Sequence, residues 1–429
     1  MRRCRFIHAA DLHLDSPFKG LTSLPEPLRQ LIRESTYAAL DRIVELAADE
    51  RADFVLFSGD IYDTPDRSLR AQFRFKAALE KLSRHGIASF VIHGNHDPEN
   101  GRSARLDWPE RVHVFPSGRV ETVPLADADG NVYAHVHGVS YRQAAERENL
   151  AARYAVLDPD VLNIAMLHAN VDGHPDHDNY APCRLDELKR SGFDYWALGH
   201  IHTPAVLHER PWIVYPGNPQ GRHMKETGPR GVMLVEADEA RRIRVTFRET
   251  AVIEWQRVQV DITGIGEEQE LVNRLLAALD QERDGQGGIS RIVRLELTGR
   301  SPLQAEWLAH EERTADLTNT LRDLAVSRWE QEGGPFVWPE SVRNCSAPEW
   351  DRDELLRGEG FLSELVRCSE RIARDGEARE SFVSQALEDL YGNYRFRRLA
   401  GEPSPEELDD WLRWAEDEVV QLLGKGGKR

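Results

Sequence analysis

The chain has 429 residues, with 55 Lys+Arg against 73 Asp+Glu and a formal net charge of −18. That length suffices for two or three domains with full cores, and 40% hydrophobic with 30% charged residues argues against wholesale disorder. No apolar run approaches the roughly 18–20 residues of a membrane span, and Cys4, Cys183, Cys345 and Cys368 are too scattered for a disulfide framework or a thiolate zinc site, so a cytoplasmic address is expected.

The start, Met1-Arg2-Arg3-Cys4-Arg5, imitates the basic region of a signal peptide, but Asp11, His13 and Asp15 interrupt the apolar stretch that should follow, so no export signal is expected. Cys4–Ala10, Phe54–Ser58 and Ser89–His93 have the β-branched and aromatic enrichment of buried strands, each ending in a polar cluster. Pro27 to Ala48 reads as a helix that buries Leu28, Leu31, Ile32, Ala39, Leu40, Ile43, Val44 and Ala47. Ser68 to Arg84 repeats the pattern with Leu69, Phe73, Ala77 and Leu82, studded with Arg70, Arg74, Lys76, Lys81 and Arg84. Strand alternating with helix implies a sheet covered by helices through right-handed crossovers.

Further strands are predicted at Asn163–Leu167, Tyr195–Leu198, Ile213–Tyr215, Val232–Val235 and Ile243–Phe247, the last two as a hairpin. His135 and His137 alternate along another strand and read as structural. Near residue 250 the style changes. Glu254–Ile262 and Ile289–Leu297 flank a helix from about Glu267 to Gln281, and Gly264-Ile265-Gly266 reads as a turn. The remainder is helical and acidic, with candidates at Ala315–Glu330, Glu354–Arg374, Ala378–Tyr391 and Glu406–Leu423, and a Pro-rich connector at Gly334–Pro348. The expected division is a catalytic domain over 1–250, a small α+β capping domain over 251–300 and an acidic helical region over 301–429. A net −18 repels a polyanion, but most of the acidic excess falls after residue 250, leaving the first part nearly neutral.

In open α/β sheets, ligands gather beyond the C-terminal ends of the strands. The successive strands here run into Asp11-Leu12-His13, Gly59-Asp60-Ile61-Tyr62-Asp63, Gly94-Asn95-His96-Asp97, His168 and Gly199-His200-Ile201-His202. Carboxylate, imidazole and carboxamide donors without thiolate suit Mn²⁺, Fe²⁺, Zn²⁺ or Mg²⁺, and two such ions about 3.5–4 Å apart clamp a phosphoryl group while generating hydroxide. Any one of these motifs arises by chance; five in order at strand ends do not. His174 and His177 fall in a polar loop just after His168, while Arg222 and Lys225 stand near the metal-bearing loops, where a phosphate backbone passes.

These ordered motifs over about residues 4–250 resemble the calcineurin-like metallophosphoesterase superfamily, a four-layered α/β/β/α sandwich. His8-Ala9-Ala10-Asp11-Leu12-His13-Leu14-Asp15 and Tyr215-Pro216-Gly217-Asn218-Pro219 are similar to SbcD/YhaO-type DNA exonuclease subunits. The resemblance implies one ion on Asp11, His13 and His202, a second on Asn95, His168 and His200, and Asp60 bridging them. It implies that His96 protonates the leaving oxygen with Asp97 holding its imidazole, that Asp63 orients a neighbour, and that the nucleophile is a metal-bound hydroxide. Asp63 stands where some nuclease relatives carry His. The expected activity is Mn²⁺-dependent DNA hydrolysis as an exonuclease or endonuclease of DNA repair. An SbcC-like coiled-coil ATPase is expected to dock on the C-terminal helices through Trp411, Leu412, Trp414, Ala415, Val419 and Leu422, and the 68–84 helix offers a homodimer surface. The rivals are a small-molecule phosphatase or nucleotide phosphodiesterase, and a binding scaffold with a vestigial site.

Overall fold

The computed structural model describes residues 2–16, 24–64, 66–101, 104, 106–174, 178–284, 288–303, 308, 311–348, 350, 352–388 and 404–424. His177 lies outside them. By internal contacts the chain divides into two units: Met1–Arg257 with Arg283–Val293 and Arg328–Trp338, and Val258–Glu282 with Arg294–Ser327 and Pro339–Arg429.

The first unit is built on two six-stranded sheets. One takes the order β12-β11-β1-β2-β3-β4, from β1 (Cys4–Ala9), β2 (Phe54–Ser58), β3 (Ala88–Ile92), β4 (Val112–Val114), β11 (Gly231–Ala237) and β12 (Ile243–Glu249). The other takes the order β5-β6-β7-β8-β10-β9, from β5 (Glu121–Ala126), β6 (Val132–Gly138), β7 (Leu162–His168), β8 (Tyr195–Gly199), β9 (Ala205–Glu209) and β10 (Trp212–Tyr215). The centre of each is parallel, β1-β2-β3-β4 and β6-β7-β8-β10, with antiparallel strands added at the edges.

Period-two alternation sorts the side chains into layers. Ile7, Val55 and Phe57 face the helices α1 (Glu26–Asp49) and α2 (Leu69–Arg84), while Phe6, Phe54 and Leu56 turn the other way, into a second core with Met166, Tyr195 and Val214 of the other sheet. A third core, around Leu167, Leu188, Trp196 and Leu198, lies beyond that sheet, where α3 (Leu185–Arg190) packs. This is the four-layered α/β/β/α sandwich.

The helix α1 buries the expected stripe except Leu31, which is exposed. For α2 the expected stripe is corrected: Leu69, Phe73 and Ala77 face outward, and Ala71, Phe75, Ala78, Leu79 and Leu82 are buried. Both stripes have helical spacing, and the second carries the residues that fit against Phe57 and Tyr62, as the edge-on ring contacts of Phe75 show. Three basic residues of α2 are tied to α1, Arg70 to Glu34 and both Arg74 and Lys81 to Asp41, while Lys76 pairs with Glu80 of α2 itself. The strands β4, β5 and β9 are additions that the sequence reading lacked; their patterns are short and half-buried.

Beyond the two sheets, β13 (Ile253–Asp261), β14 (Ser290–Thr298) and β16 (Val337–Asn344) form a three-stranded sheet in the order β13-β14-β16, and β15 (Arg300–Ser301) pairs with β17 (Ala347–Pro348). The Gly334–Pro348 segment is thus largely strand, not connector. Its Pro339 donates no backbone N–H, which an edge position tolerates. The helices are α4 (Glu268–Asp284), α5 (Glu311–Glu332), α6 (Arg352–Arg357), α7 (Phe361–Arg374), α8 (Gly376–Ala386) and α9 (Pro405–Gly424). In the second unit, α7 packs against α6, α8 and α9. No described helix is long and apolar enough to cross a membrane.

His8, fully buried on β1, lies 3.0 Å from the Leu198 carbonyl through Nε2 and 2.9 Å from the Tyr195 hydroxyl through Nδ1. A carbonyl only accepts, so Nε2 carries the hydrogen and Nδ1 accepts from Tyr195. Burial pushes this imidazole down to about 3 from its ordinary 6.5, against the pull of Leu198. Between those values the unfolded chain binds a proton that the folded chain refuses, so this contribution to stability is full above 6.5 and is lost as pH falls toward 3. His8→Phe is expected to flatten the fall in urea midpoint on acidification, while leaving the Tyr195 hydroxyl unpaired at a cost of about 1–3 kcal/mol at neutral pH.

Candidate metal centre

The loops after β1, β2, β3, β7 and β8 meet at one end of the two sheets, and their backbone is locked before any side chain is considered. Asp11, His13 and Leu14 donate their N–H groups to the carbonyls of Gly59, Asp60 and Ile61 at 3.1, 3.0 and 2.9 Å. Buried carboxylates join the other loops: Asp60 Oδ1 accepts the His96 N–H at 2.9 Å, and both Asp11 oxygens accept the His200 N–H, at 3.0 and 3.1 Å. Asp11, His13, Asp60 and His200 all have positive φ, at 55, 43, 50 and 100°. Such conformations cost free energy in L-residues and persist only where the surroundings impose them. Two glycines are there for room: a Cβ on Gly94 comes within 2.3 Å of Asp60 Oδ1, and one on Gly199 within 2.0 Å of the Ser58 carbonyl oxygen.

Three imidazoles rest one ring nitrogen on an oxygen that can only accept, and these and His13 turn a nitrogen inward. His168 Nδ1 sits 2.9 Å from the Ser58 carbonyl, His200 Nε2 2.8 Å from the Asp178 carbonyl and His202 Nδ1 2.8 Å from Glu226 Oε1, while His13 Nδ1 lies 3.2 Å from Asp63 Oδ1, an ion-pair distance without hydrogen-bond geometry. The outer nitrogens therefore carry the hydrogens, and in the neutral rings the inner ones are bare. Inward, His13 Nε2 faces His202 Nε2 at 3.2 Å, while Asn95 Oδ1 lies 3.0 Å from His168 Nε2 and 3.1 Å from His200 Nδ1. Lone pairs aimed at one another at this range repel unless a cation lies among them. The residues present fit divalent ions. Three groups bring their donor atoms within 4.8 Å of one another: Asp11, His13 and His202; His13, Asp60 and His96; and Asp11, Asp60 and His168.

The charge balance points the same way. Burial alone pushes the His168 imidazole down, but Asp60, 3.3 Å from Nε2, and Asp11 outweigh it and raise it to about 9. Asp60 is itself held well below the usual carboxylate range, since His168, His96 and His13 overcome its desolvation. Burial lifts Asp11 to about 6 against the pull of His168 and His202, and drives His13 down to about 3, with Arg222 adding to the fall. The pocket asks for positive charge at its centre, and a proton on His168 supplies only one unit of it.

His96 is half-buried and lines the opening with Asn95 and His202. Its Nδ1 sits 2.7 Å from the backbone carbonyl of Asp63 and so carries the hydrogen, leaving Nε2 without a hydrogen-bond partner among the described residues. This corrects the expectation for Asp97, which does not hold that ring. Its carboxylate instead accepts the N–H groups of Ile61 at 2.9 Å and Gly94 at 2.8 Å and approaches His93 Nδ1 at 3.2 Å, so it braces the loops after β2 and β3. Arg222 is also corrected: it is 7% exposed and committed to Glu226 and Asp63, with no face left for a phosphate, whereas Lys225 is exposed. Asp63 sits between His13 and Arg222, which hold its carboxyl at about 2 although burial opposes them.

Sequence reading missed Glu226 and the carbonyls of Ser58 and Asp178. Glu226 follows Arg222 by four residues in a turn rather than a helix, so the spacing carried no sequence signal for their pairing. The carbonyls left none. The 215–219 motif supports the His202 loop: Asn218 N–H donates to the His202 carbonyl at 3.1 Å, and the Tyr215 hydroxyl donates to the Ala169 carbonyl at 2.7 Å. Gly217, at φ 76°, brings the backbone so close that a Cβ meets the His202 carbonyl oxygen at 2.7 Å. His135 and His137 pack away from the centre, His137 against Thr122 and Asn163. His174 lies in the loop after β7, its N–H on Asn170 Oδ1 at 2.6 Å.

Comparison with known proteins gives concordant matches. Residues 4–204 match the calcineurin-like phosphoesterase family, and residues 255–346 match the middle domain of the metallophosphoesterase YhaO. The chain is 37% identical to the uncharacterized metallophosphoesterase YhaO of Bacillus subtilis (strain 168), over 94% of each chain. It is 26% identical to the DNA double-strand break repair protein Mre11 of Methanopyrus kandleri, over 77% of this chain and 72% of that one. The SbcD component of the nuclease SbcCD of Staphylococcus saprophyticus is 26% identical over 54% of this chain and 65% of its own length.

Proposed function

From the premise that this chain belongs to the calcineurin-like phosphoesterase family, as a metal-dependent phosphoesterase of the YhaO type, we propose that it is a DNA nuclease that hydrolyses phosphodiester bonds with Mn²⁺. The observation that carries the metal reading is the inward convergence of bare imidazole nitrogens and the Asn95 carboxamide oxygen on buried Asp60. Asp11, His13 and His202 would hold one ion and Asn95, His168 and His200 the other, with Asp60 shared by the two sets. Nitrogen and hard oxygen donors without thiolate accept Mn²⁺, as they accept Fe²⁺, Zn²⁺ or Mg²⁺. Two such ions supply charge that offsets the phosphoryl oxygens and lowers the pKa of water.

The protein's own part is positioning and proton transfer. His96, fixed through Nδ1 by the Asp63 carbonyl, presents Nε2 at the opening and gives a proton to the leaving oxygen. Asp97 keeps the two loops that carry Asp60 and His96 in register. Lys225, on the loop beside them, meets the phosphate backbone. DNA as substrate is supported by the relatives named for double-strand break repair and for a nuclease.

In this reading residues 1–250 are catalytic, 251–300 form a cap, and the acidic 301–429 region engages an SbcC-like ATPase rather than DNA. Exposed Trp411 and Trp414 on α9 and Phe361 on α7 support that role. The test is turnover of single- and double-stranded DNA, a small phosphodiester and a phosphomonoester, with Mn²⁺ and after chelation. Mn²⁺-dependent cleavage of DNA is expected; hydrolysis of the monoester alone overturns the nuclease reading, and activity that survives complete chelation overturns the metal reading.

A further inference from the structure

The two halves of the centre differ in what stands behind their histidines. His168 and His200 rest on neutral backbone carbonyls, those of Ser58 and Asp178. His202 rests on a carboxylate, that of Glu226, and His13 has one beside it, that of Asp63, 3.2 Å from Nδ1 without hydrogen-bond geometry. One guanidinium joins these two carboxylates: Arg222 Nη1 donates to Asp63 Oδ1 at 3.0 Å and Nη2 to Glu226 Oε1 at 2.9 Å. The Arg222 backbone N–H also donates to Glu226 Oε2 at 2.7 Å, so the pair is pinned at both ends. Nη2 lies 3.3 Å from His202 Nδ1 as well, farther than the 2.8 Å at which Glu226 takes the hydrogen of that nitrogen.

Burying a guanidinium and a carboxylate carries a desolvation cost that apolar packing does not. Glu226 is 3% exposed and Arg222 7%, and apart from Ser16, at 3.4 Å, the side chains that accept from the Arg222 guanidinium among the described residues are Asp63 and Glu226. The arrangement makes sense as a yoke. A carboxylate behind a histidine fixes its tautomer and ring plane and makes its free nitrogen a stronger donor, and a bidentate arginine fixes the two carboxylates relative to each other.

We infer that Glu226 and Arg222 are positioning residues that act through His202 and, by way of Asp63, through His13, so that both imidazoles are presented together to the ion shared with Asp11. This rests on the two-ion reading above, and it makes the two ions unequal: the one on the carboxylate-backed side depends on Glu226 and Arg222, and the one on Asn95, His168 and His200 does not.

The experiment is calorimetric titration of Mn²⁺ into the full-length, chelator-stripped chain, with folding of each variant checked by circular dichroism. The wild type is expected to bind two equivalents. Glu226→Ala is expected to weaken one equivalent about 10- to 100-fold and leave the other unaltered. Glu226→Ala leaves Arg222 a buried charge short of a partner, so Arg222→Lys and Glu226→Gln provide tests that do not depend on its folding. Arg222→Lys, a point charge that cannot bridge both carboxylates, is expected to weaken the same single equivalent about tenfold. Glu226→Gln, whose amide oxygen still accepts from His202 Nδ1, is expected to recover most of the loss. Folded Glu226→Ala and Arg222→Lys proteins that bind both equivalents as the wild type does, or lose both alike, overturn the inference, as does a Glu226→Gln protein no better than Glu226→Ala. A wild type that binds no Mn²⁺ overturns the metal reading itself.

Discussion

Asp60→Ala is expected to remove both ions at once and with them hydrolysis, by about 10³-fold or more, beyond the loss of any single charge-stabilising group in an ordinary site. Asp60 is the carboxylate that both halves of the centre share: its Oδ2 lies 3.3 Å from His168 Nε2 and 3.8 Å from His13 Nε2, while Oδ1 accepts the His96 N–H. Without it the site loses a full negative charge at 1% exposure, where no solvent replaces it. The readout that separates this from simple inactivation is thermal. Saturating Mn²⁺ stabilises a protein that binds it by about 2.7 kcal/mol at a hundredfold excess over Kd. The wild type should therefore melt higher with Mn²⁺ than without, and Asp60→Ala should melt at one temperature in both. A variant whose melting still rises with Mn²⁺ removes Asp60 from the bridging role.

His96→Ala is expected to do the reverse, leaving both Mn²⁺ equivalents in place while slowing DNA hydrolysis about 10²- to 10⁴-fold. The geometry gives a second signature. Nε2 of His96 has no hydrogen-bond partner among the described residues and Nδ1 is fixed on the Asp63 carbonyl, so the ring can deliver a proton outward without losing its hold. A sugar alkoxide needs that proton as it leaves, whereas a nitrophenolate leaves without one. The loss should therefore be large on DNA and much smaller on a nitrophenyl phosphodiester. His96 also stands within ligand reach of His13 and Asp60, so an His96→Ala protein that binds one Mn²⁺ fewer identifies it as a ligand instead. Equal losses on both substrates with both ions retained overturn the acid role.

The sequence made the strand-end donors legible because each is local: a short apolar strand, a tight turn and a polar side chain are contiguous, so Asp11, Asp60, Asn95, His168 and His200 could be found before their meeting was known. What it hid was which oxygen stands behind which ring. Asp97 adjoins His96 in the chain, yet backbone direction at the loop sends its carboxylate to Gly94 and Ile61, and the ring turns to the carbonyl of Asp63 instead. Arg222 read as a phosphate contact because its partners, Asp63 and Glu226, come together only after the β10–β11 connection folds back on the loop after β2. The face that α2 buries was hidden for a similar reason, since two stripes had helical spacing and only the packing of Phe75 against Phe57 and Tyr62 chose between them.

The left-handed backbone at Asp11, His13 and Asp60 sets heat resistance against catalysis in this scaffold. Glycine relieves the roughly 1–2 kcal/mol that each such L-residue costs, and it erases a donor in doing so. A library selected only for survival at high temperature should therefore drift toward glycine at His13 and lose that donor, whereas at Asp11 and Asp60 glycine also strips the acceptors of the His200 and His96 N–H groups and gains little. Selection for turnover after heating should hold all three fixed and gather its gains elsewhere, on loops distant from the strand ends.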